Sequence, residues 1–428
     1  MKDIFAELAW RGLLNQSTDD GHLAEWFLEK PRTLYVGFDP TADSLHVGHL
    51  LAVMLLRRFQ QAGHRPIALV GGATGMIGDP SGKSAERNLL SVETLRANVA
   101  AMEKQLRRFL DFDRGPNAAM LVNNHDWMGP YSYLEFLRDV GKHFPVNVML
   151  GKDSVRTRLE RSDSGLSYTE FSYMLLQAYD FVHLYDAYGC EIQAGGSDQW
   201  GNITAGIDLA RRMRSVQLHG LTCPLLTKSD GAKMGKTEQG ALWLAPEKTS
   251  PYRFYQYWIN LADSDVGKCL RYLTDLTQVE IVELEAAHAA APERREAQKR
   301  LGSELTRLVH GEEGLASALR ATAVLFGAEI TDLTDAELDE AFADAPNREL
   351  PFDRLGGPGL PLADALVEAG LAKSKSEARR TITQGGVYMN NRRAEDPELR
   401  LGPSALAGET VLVLRTGKKA YSLLKFRS

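Results

Sequence analysis

Two histidines three residues apart, His46 and His49, have the type and spacing to act on a phosphate group. They stand where the first predicted strand ends and the first predicted helix begins, and the N–H groups and dipole of a helix N-terminus favour anions. Two imidazoles there would suit a phosphate whose charge grows in a transition state, and Gly48 would let a nucleotide ring approach the backbone closely. Two surface histidines, or part of a metal site, are the alternatives. No nearby cysteine or carboxylate has persuasive spacing for a metal.

A glycine-rich segment, residues 71–84, follows the next predicted strand and ends in Gly-Lys-Ser. A P-loop would need glycine at position 77, and Ile77 stands there, so the pattern is not met. The density of glycine favours a ligand-facing wall over an ordinary loop, and Lys83 and Arg87 would be available for phosphate oxygens.

Three polar residues share one face of a helix that the sequence predicts at 168–183. Tyr173, Gln177 and Asp180 are spaced i, i+4 and i+7. A phenol, an amide and a carboxylate on one face could bind a polar, zwitterionic ligand. A face that is merely solvated is the alternative.

Two later segments complete the set. Residues 193–202 are again rich in glycine and follow a predicted strand, and residues 227–237 form a basic loop that could clamp a polyphosphate. A solvated basic loop is the alternative. The candidate clamp residues are Lys228, Lys233, Lys236 and Thr237.

These segments lie between strands and helices that alternate along the chain. A buried strand at 34–38, a helix with apolar residues at helical spacing from Val47 to Phe59 and a strand at 66–70 make a βαβ unit with an expected right-handed crossover. The alternation continues to about residue 194. The sequence therefore predicts an α/β fold, a Rossmann-like doubly wound parallel sheet, in which ligands bind at the carboxyl ends of strands.

The pattern changes further along the chain and predicts four segments. They are a catalytic domain at 1–248 that begins with an amphipathic helix within residues 1–20, a strandless α-helical domain at 249–345, a Gly/Pro-rich linker at 346–359, and a small α+β domain at 360–428.

Composition excludes several classes of protein. Hydrophobic residues make up 44% and charged residues 25%, which is typical of a soluble globular protein, and no stretch approaches the roughly 20 apolar residues that span a bilayer. The N-terminus does not resemble a signal peptide. Three widely spaced cysteines argue against a disulfide framework or a zinc site, so we expect a cytoplasmic protein without a tightly bound metal.

Charge is unevenly distributed. Residues 371–428 hold 12 Lys and Arg against 5 Asp and Glu, a net charge of +7, so the first 370 residues carry −13 of the total of −6. A basic C-terminal region on an acidic body suggests contact with a polyanion. A solvated basic surface is the alternative.

The segments together resemble a known family. His46-Val-Gly-His49 resembles the HIGH motif of class I aminoacyl-tRNA synthetases, and residues 233–237 resemble their KMSKS motif, with Val47 in place of isoleucine and Gly235 and Thr237 in place of two serines. Within that class, the chain is similar to bacterial tyrosyl-tRNA synthetases along essentially its whole length. The similar segments are 35–41, 71–83, Tyr173-x3-Gln177-x2-Asp180, 195–202 and, as an S4-type RNA-binding domain, 360–428.

The resemblance implies a role for each candidate residue. Implied tyrosine contacts are Tyr35, Asp79, Tyr173, Gln177, Asp180 and Gln199. Implied ATP contacts are Gly37, Asp39, His46, Gly48, His49, Asp198, Lys233 and Lys236. Implied catalytic residues around the phosphates are Thr41, His46, His49, Lys83, Arg87, Lys233, Lys236 and Thr237. Candidate tRNA contacts in the basic region are Lys373, Arg379, Arg380, Arg392, Arg393, Lys418 and Lys419.

The implied activity is a two-step ligation in a homodimer. L-tyrosine reacts with ATP, accompanied by Mg²⁺, to give tyrosyl-adenylate, and tRNA(Tyr) then accepts the tyrosine. Three other interpretations remain: a tryptophanyl-tRNA synthetase, a small-molecule nucleotidyltransferase, and a non-catalytic RNA-binding relative. The nucleotidyltransferase would explain residues 34–84 but not the basic region, and the intact His46, His49, Lys233 and Lys236 weigh against loss of catalysis.

Overall fold

The chain groups into two units, residues 1–249 with 259–309 and residues 250–258 with 310–428. The computed structural model describes residues 2–81, 90–152, 155–156, 159, 165–237, 240–331, 333–343, 345–417 and 420–427. The predicted boundaries at 248, 345 and 359 stay predictions.

The strands of the first unit are short, and most are buried. They are β1 (Gln16–Ser17), β2 (Thr33–Phe38), β3 (Arg65–Val70), β4 (Met120–Asn123), β5 (Cys190–Gly196), β6 (His219–Cys223), β7 (Lys236–Thr237) and β8 (Gly240–Ala241). Those of the second unit are β9 (Asn347–Pro351), β10 (Leu360–Pro361), β11 (Val387–Met389), β12 (Arg392–Ala394), β13 (Arg400–Leu401), β14 (Val411–Thr416) and β15 (Ala420–Arg427).

The α-helices of the described residues follow, and the one at Glu296–Leu325 is interrupted at Gly311, where φ is 77° and ψ is −178°. In chain order they are α1 (Ile4–Arg11), α2 (Asp20–Glu29), α3 (Val47–Gln61), α4 (Val92–Leu106), α5 (His125–Met128), α6 (Tyr133–Asp139), α7 (Val146–Leu150), α8 (Tyr168–Tyr188), α9 (Trp200–Arg214), α10 (Pro251–Ile259), α11 (Asp263–Leu273), α12 (Gln278–Ala290), α13 (Glu296–Leu325), α14 (Asp335–Ala341), α15 (Leu362–Glu368) and α16 (Lys375–Thr383).

The main sheet of the first unit has the strand order β1-β6-β5-β2-β3-β4. Strands β2 to β6 pair in parallel and β1 is antiparallel to β6. From β2 the chain builds outward through β3 and β4, and then returns to build β5 and β6 on the other side. The order therefore reverses between β2 and β5, which is where doubly wound sheets bind their ligands. The predicted fold class is confirmed.

Local sequence explains where the elements that matter for the site begin and end. The N-cap of α3 is His46. The N-cap of α8 is Ser167, whose hydroxyl accepts a hydrogen bond from Glu170 N, and the C-cap is Gly189, whose φ is 63°. An amphipathic helix was predicted within residues 1–20, and α1 lies there with Ile4, Phe5 and Leu8 buried, although Leu13 falls beyond its end. Gly12 adopts a left-handed conformation with φ 74°, so α1 ends at Arg11.

The second unit contains a five-stranded sheet in the order β12-β11-β14-β15-β9, with β9 parallel to β15. The structure here differs from the predicted linker at 346–359, because residues 347–351 pair as β9. One hydrophobic core joins the helical residues Val324 and Leu338 to the strand residues Val413 and Leu423. The segment predicted as helical is thus packed against the C-terminal sheet.

No described helix is long and apolar enough to cross a membrane.

Candidate active site

A cavity of about 370 Å³ lies at the carboxyl ends of β2 and β5, where the strand order reverses. It brings together the candidates from all five sequence segments. Its walls include Tyr35, Gly37, Asp39, Thr41, His46, Gly48, His49, Asp79, Tyr173, Gln177, Asp180, Asp198, Gln199, Lys233 and Lys236. Lys83, Arg87 and the side chain of Thr237 lie outside the described residues.

Tyr35 and Asp180 form a buried polar pair in the wall of this cavity. Each is 1% exposed, and the ring of Tyr35 packs edge-on against Phe181 at 5.4 Å between centroids. The Tyr35 hydroxyl has no hydrogen-bond partner among the described residues. Burial, and to a lesser extent the nearby Asp180, raises the pKa of Tyr35 well above its ordinary value. A buried hydroxyl without a partner marks a place where a ligand oxygen would complete the hydrogen bonding.

Two side chains that follow β4, one from the N-cap of α5 and one from α5 itself, hold the carboxylate of Asp180. Trp127 Nε1 donates to its Oδ1 at 2.8 Å, and Asn124 Nδ2 donates to its Oδ2 at 3.0 Å. Burial raises the pKa of Asp180 to about 7, although these two hydrogen bonds act in the opposite direction. The carboxylate is therefore fixed in orientation by two donors and still has oxygen lone pairs for a ligand hydroxyl.

Asp39, which follows β2, links α8 to the glycine-rich loop. Tyr173 donates from its hydroxyl to Asp39 Oδ2 at 2.9 Å, and Thr74 donates to Oδ1 at 2.8 Å. A Cβ atom at Gly71 would lie 2.3 Å from Asp39 Oδ1, so only glycine fits there. Gly71 thus allows the glycine-rich loop to approach the side chain of Asp39 closely.

A second polar network surrounds Asp79. Gln199 Nε2 donates to Asp79 Oδ2 at 2.7 Å, and Gln177 Nε2 donates to Gln199 Oε1 at 3.2 Å. Asn202 donates to Gln177 Oε1 at 3.0 Å and to Gln199 Oε1 at 3.2 Å. One buried carboxylate and several amide oxygens here would suit a ligand ammonium group.

His46 and His49 lie at the N-terminus of α3 with stacked rings, 3.9 Å apart between centroids. His46 Nδ1 accepts from Gly48 N at 3.0 Å, and His49 Nδ1 accepts from His46 N at 3.1 Å. Each ring is thereby oriented at Nδ1 by a backbone N–H group. A Cβ atom at residue 48 would lie 2.7 Å from the His46 ring. Glycine is therefore needed for this ring position, a reason the sequence did not reveal.

The basic loop reaches the same end of α3. Gly235 O accepts from Leu242 N at 2.7 Å, and Leu242 O accepts from Val47 N at 3.0 Å. Gly235 has φ 78°, and a Cβ atom there would lie 2.8 Å from Val47 Cβ. Backbone contacts thus bring Lys233 and Lys236 to the cavity beside the two histidines.

Sequence reasoning missed four residues of the site. Asn124 and Trp127 orient Asp180, Thr74 orients Asp39, and Asn202 joins the two glutamines. Asn202 is the last residue of the glycine-rich segment 193–202, which the sequence analysis singled out. Asn124 directly follows β4 and Trp127 lies three residues further on in α5, and this position after a strand end was the available signal.

The candidate tRNA contacts lie in the second unit and are all exposed where described. Arg379, Arg392 and Arg393 pair with Glu398, Glu329 and Glu395, respectively. Lys373 and Arg380 have no ion pair with any residue that the structure describes. Lys418 and Lys419 lie outside the described residues.

The family model for tRNA synthetases class I (W and Y) matches residues 28–327. The chain belongs to this family. A second model, the tyrosine–tRNA ligase SYY-like C-terminal domain, matches residues 337–424 of the synthetase. The resemblance seen in the sequence is thereby confirmed.

Relatives similar to this synthetase match it along nearly its whole length. A tyrosine–tRNA ligase of Rhodopirellula baltica is 62% identical over 99% of this chain and 96% of its own. One of Geobacillus stearothermophilus is 53% identical over 99% of this chain and 100% of its own. Among solved structures, a C-terminally truncated mitochondrial tyrosyl-tRNA synthetase of Aspergillus nidulans matches with a TM-score of 0.69 and 33% identity over 76% of this chain and 95% of that one. This synthetase is an aminoacyl-tRNA ligase.

Proposed function

We propose that this synthetase joins L-tyrosine to tRNA(Tyr), using ATP and releasing AMP and pyrophosphate. The observation that carries the choice of amino acid is the buried pair of Tyr35 and Asp180 in the cavity wall. A phenol hydroxyl would donate to Asp180 and accept from the unpartnered hydroxyl of Tyr35. Phenylalanine would leave the Tyr35 hydroxyl without a partner and would remove the substrate hydrogen bond to Asp180. An unsatisfied buried polar group costs about 1–3 kcal/mol.

The ammonium group of tyrosine would bind at the other polar network. Asp79 supplies the charge, and Gln177 and Tyr173 supply oxygen atoms on the same face of α8. Gln199 and Asn202 hold these groups in place, so little rearrangement accompanies binding. The carboxylate of the amino acid would then point toward the N-terminus of α3.

ATP would enter as the Mg²⁺ complex, with the metal carried on its phosphates as part of the substrate. Gly37, Gly48 and Asp198 would contact the adenosine portion, while His46, His49 and Thr41 would face the phosphates. A tyrosine carboxylate oxygen forms a bond to the α-phosphorus as the bond to pyrophosphate breaks. No protein nucleophile takes part, so positioning and electrostatic stabilisation supply the rate enhancement.

The leaving pyrophosphate carries the charge that grows in this step. Lys233 and Lys236 line the cavity near the histidines and would stabilise that charge. In the second step, a hydroxyl of the 3′-terminal adenosine of tRNA attacks the carbonyl carbon of tyrosyl-adenylate. AMP leaves, and tyrosine remains esterified to the tRNA.

The tRNA would contact the basic second unit, for which we retain the predicted S4-like role of residues 360–428. Lys373 and Arg380 are the best candidates because they are exposed and unpaired among the described residues, whereas Arg379, Arg392 and Arg393 already face acidic partners. Unpaired cations bind phosphates without first breaking an ion pair.

We further propose a homodimer formed through an apolar surface on α6, α7 and the start of α8. Its large exposed side chains include Tyr133 (63% exposed), Leu134 (75%), Val146 (58%) and Tyr168 (62%). The hydroxyls of Tyr133 and Tyr168 lie 3.4 Å apart, so α6 and α8 contribute to one patch. An exposed patch of this kind on a globular protein marks an interaction surface. The three cysteines are free and buried, which supports the expected cytoplasmic location.

The test is amino-acid-dependent ATP–pyrophosphate exchange, with each of the twenty amino acids supplied separately. Exchange with tyrosine alone is the expected result. Exchange with tryptophan alone would retain the mechanism and overturn the assignment of Tyr35 and Asp180 as phenol readers. Folded protein that supports no exchange with any amino acid would overturn the proposed activity.

A further inference from the structure

The basic loop is a hairpin whose tip has no apolar anchor of its own. Thr227 and Lys233 form a bridge, and Met234 N donates to Leu226 O at 3.0 Å, so the two arms pair. Residues 229–233 are all exposed. Because buried apolar contacts normally fix a hairpin, another part of the protein must set the position of this tip.

Helix α11 supplies that contact from its first turn. Asp265 is 2% exposed, and its Oδ1 accepts a hydrogen bond from Ser229 N at 2.8 Å. The hydroxyls of Ser229 and Ser264 lie 3.0 Å apart. Lys268, one turn along, donates from Nζ to the carbonyl oxygen of Thr227 and lies 3.8 Å from Asp265 Oδ1. One helix face thus binds the backbone of the first arm at two points.

The next turn of the helix contacts the residue between the two catalytic candidates. Cys269 Sγ lies 3.3 Å from Met234 Sδ, and both residues are buried, at 0% and 3% exposure. Met234 directly follows Lys233. The packing of this side chain therefore fixes the point from which Lys233 and Lys236 project.

A buried carboxylate is tolerated only when it is paired and hydrogen-bonded. Asp265 obtains one hydrogen bond from the hairpin itself, and its cation, Lys268, is also bound to the hairpin. If the hairpin left α11, Asp265 would lose Ser229 and Lys268 would lose Thr227. Hydrogen bonds to charged groups are stronger than neutral ones, so the pair favours one hairpin position.

We propose that Asp265 and Lys268 are positioning residues for the catalytic loop, which hold the hairpin so that Lys233 and Lys236 converge on pyrophosphate. The inference rests on the proposed function, since it assumes that these two lysines act on the leaving group. The opposite end of the loop is tied to α3 through Gly235, Leu242 and Val47. The loop is thus held at both ends, by α11 and by the helix that carries the histidines.

The experiment measures single-turnover formation of tyrosyl-adenylate by the full chain and the reverse reaction with inorganic pyrophosphate. In Asp265→Ala, the forward rate constant should fall between about 10- and 100-fold because displacement of a positioned group has an effect of this size. The affinity for pyrophosphate should fall too, while the dissociation constant for tyrosine stays the same. Asp265→Asn keeps an oxygen for Ser229 N and should recover part of the rate.

Asp263→Ala is the matched control. Asp263 lies in the same helical turn, but its Oδ1 accepts from Gln298 Nε2 at 2.7 Å and lies 3.5 Å from His288. Its removal weakens the attachment of α11 without touching the hairpin. Lys268→Met tests the second positioning residue and also serves if Asp265→Ala does not fold.

The outcomes separate this inference from the function on which it rests. If Lys236→Ala slows adenylate formation and the variants of Asp265 and Lys268 do not, the positioning role is wrong and the proposed function stands. If the Asp265 and Asp263 variants lose stability, tyrosine binding and rate in parallel, the effect is general and the positioning role is again wrong. If Lys236→Ala itself has no effect, the assignment of the lysines to pyrophosphate fails.

Discussion

The indole N–H of Trp127 donates to the carboxylate of Asp180 across 2.8 Å, although 53 positions separate the two residues. Trp127 comes from the short helix α5 after β4, and Asp180 comes from the middle of α8. The hydrogen bond orients the carboxylate of Asp180 through a donor that lies outside α8. Recognition of a substrate hydroxyl in the cavity therefore depends on both elements.

Trp127→Phe should weaken tyrosine binding with little change in kcat. A hydrogen bond to a charged group contributes about 1.5–3 kcal/mol, so we expect KM for tyrosine to rise roughly tenfold or more. The measurement is pyrophosphate exchange as a function of tyrosine concentration. His183→Gln is the control, because His183 stacks on Trp127 at 4.3 Å and makes no part of this hydrogen bond. An equal effect of both variants would assign the role of Trp127 to packing instead.

Stability should depend on pH through Asp180. Burial raises the pKa of its carboxyl from 3.8 to about 7 in the folded chain, so between these values the folded chain binds a proton that the unfolded chain has released. The contribution of this group to stability is therefore present below about pH 4 and is lost as pH rises through 7. Unfolding by urea at a series of pH values should show a shallower decline for Asp180→Asn. Asp186→Asn is the control, because Asp186 lies on the same helix as Asp180 but forms an exposed ion pair with Arg214 of α9. An unchanged decline in the Asp180 variant would contradict the prediction.

Lys236→Ala should slow adenylate formation by about 10²-fold, the effect typical of losing one group that stabilises developing charge. Tyrosine binding should not change, since the lysine acts on the leaving group. Pre-steady-state kinetics separates the two quantities. Lys228 lies in the same loop but does not line the cavity, so Lys228→Ala should have a much smaller effect. A wild-type rate constant in Lys236→Ala would remove this residue from the mechanism.

Replacing Lys373 and Arg380 together with alanine should weaken tRNA binding and leave pyrophosphate exchange intact. Each lost phosphate contact lowers the dependence of log K on log salt by about 0.7–0.9, so the double variant should show a slope smaller by roughly 1.4–1.8. Binding of tRNA(Tyr) across a salt series measures this. Arg392→Ala, which removes a cation already paired with Glu329, should change the slope less. Equal slopes for the double variant and the wild type would exclude these two residues as contacts.

Leu134→Asp should convert the proposed dimer to monomers. Leu134 is 75% exposed on α6 in the apolar patch, and a buried unpaired carboxylate there would oppose association. Sedimentation velocity gives the oligomeric state. Phe326→Asp changes a residue that is 87% exposed in the other unit and should leave the dimer unaffected. A dimer that survives in Leu134→Asp would place the interface elsewhere.

Much of the catalytic unit could be predicted because its residues follow strand ends. A parallel sheet brings the carboxyl ends of its strands to one edge, so the segments after Phe38, Val70 and Gly196 had to meet. The partners of these residues could not be predicted in the same way. Tyr173 donates to Asp39 across 134 positions, and no spacing rule connects α8 with that loop.

The same limit applies to the loop around Lys233. Its glycine and lysine content indicated a basic clamp. The hydrogen bond from Ser229 N to Asp265, however, joins an exposed turn to a helix, and no sequence periodicity relates these two positions. The end of α1 is a different case. Gly12 was visible in the sequence, and its preference for a left-handed C-cap would have shortened the predicted helix.

The place of β15 between β14 and β9 in the second sheet has a consequence during synthesis on the ribosome. Strand β9 emerges first, but its partner in the sheet is β15, which is made last and also pairs with β14. The six strands of the catalytic sheet, by contrast, are complete once Cys223 has been added. The nascent chain can therefore form the catalytic sheet before the second sheet, and it must keep the edge of β9 and the core around Phe342 uncovered until β15 has been made.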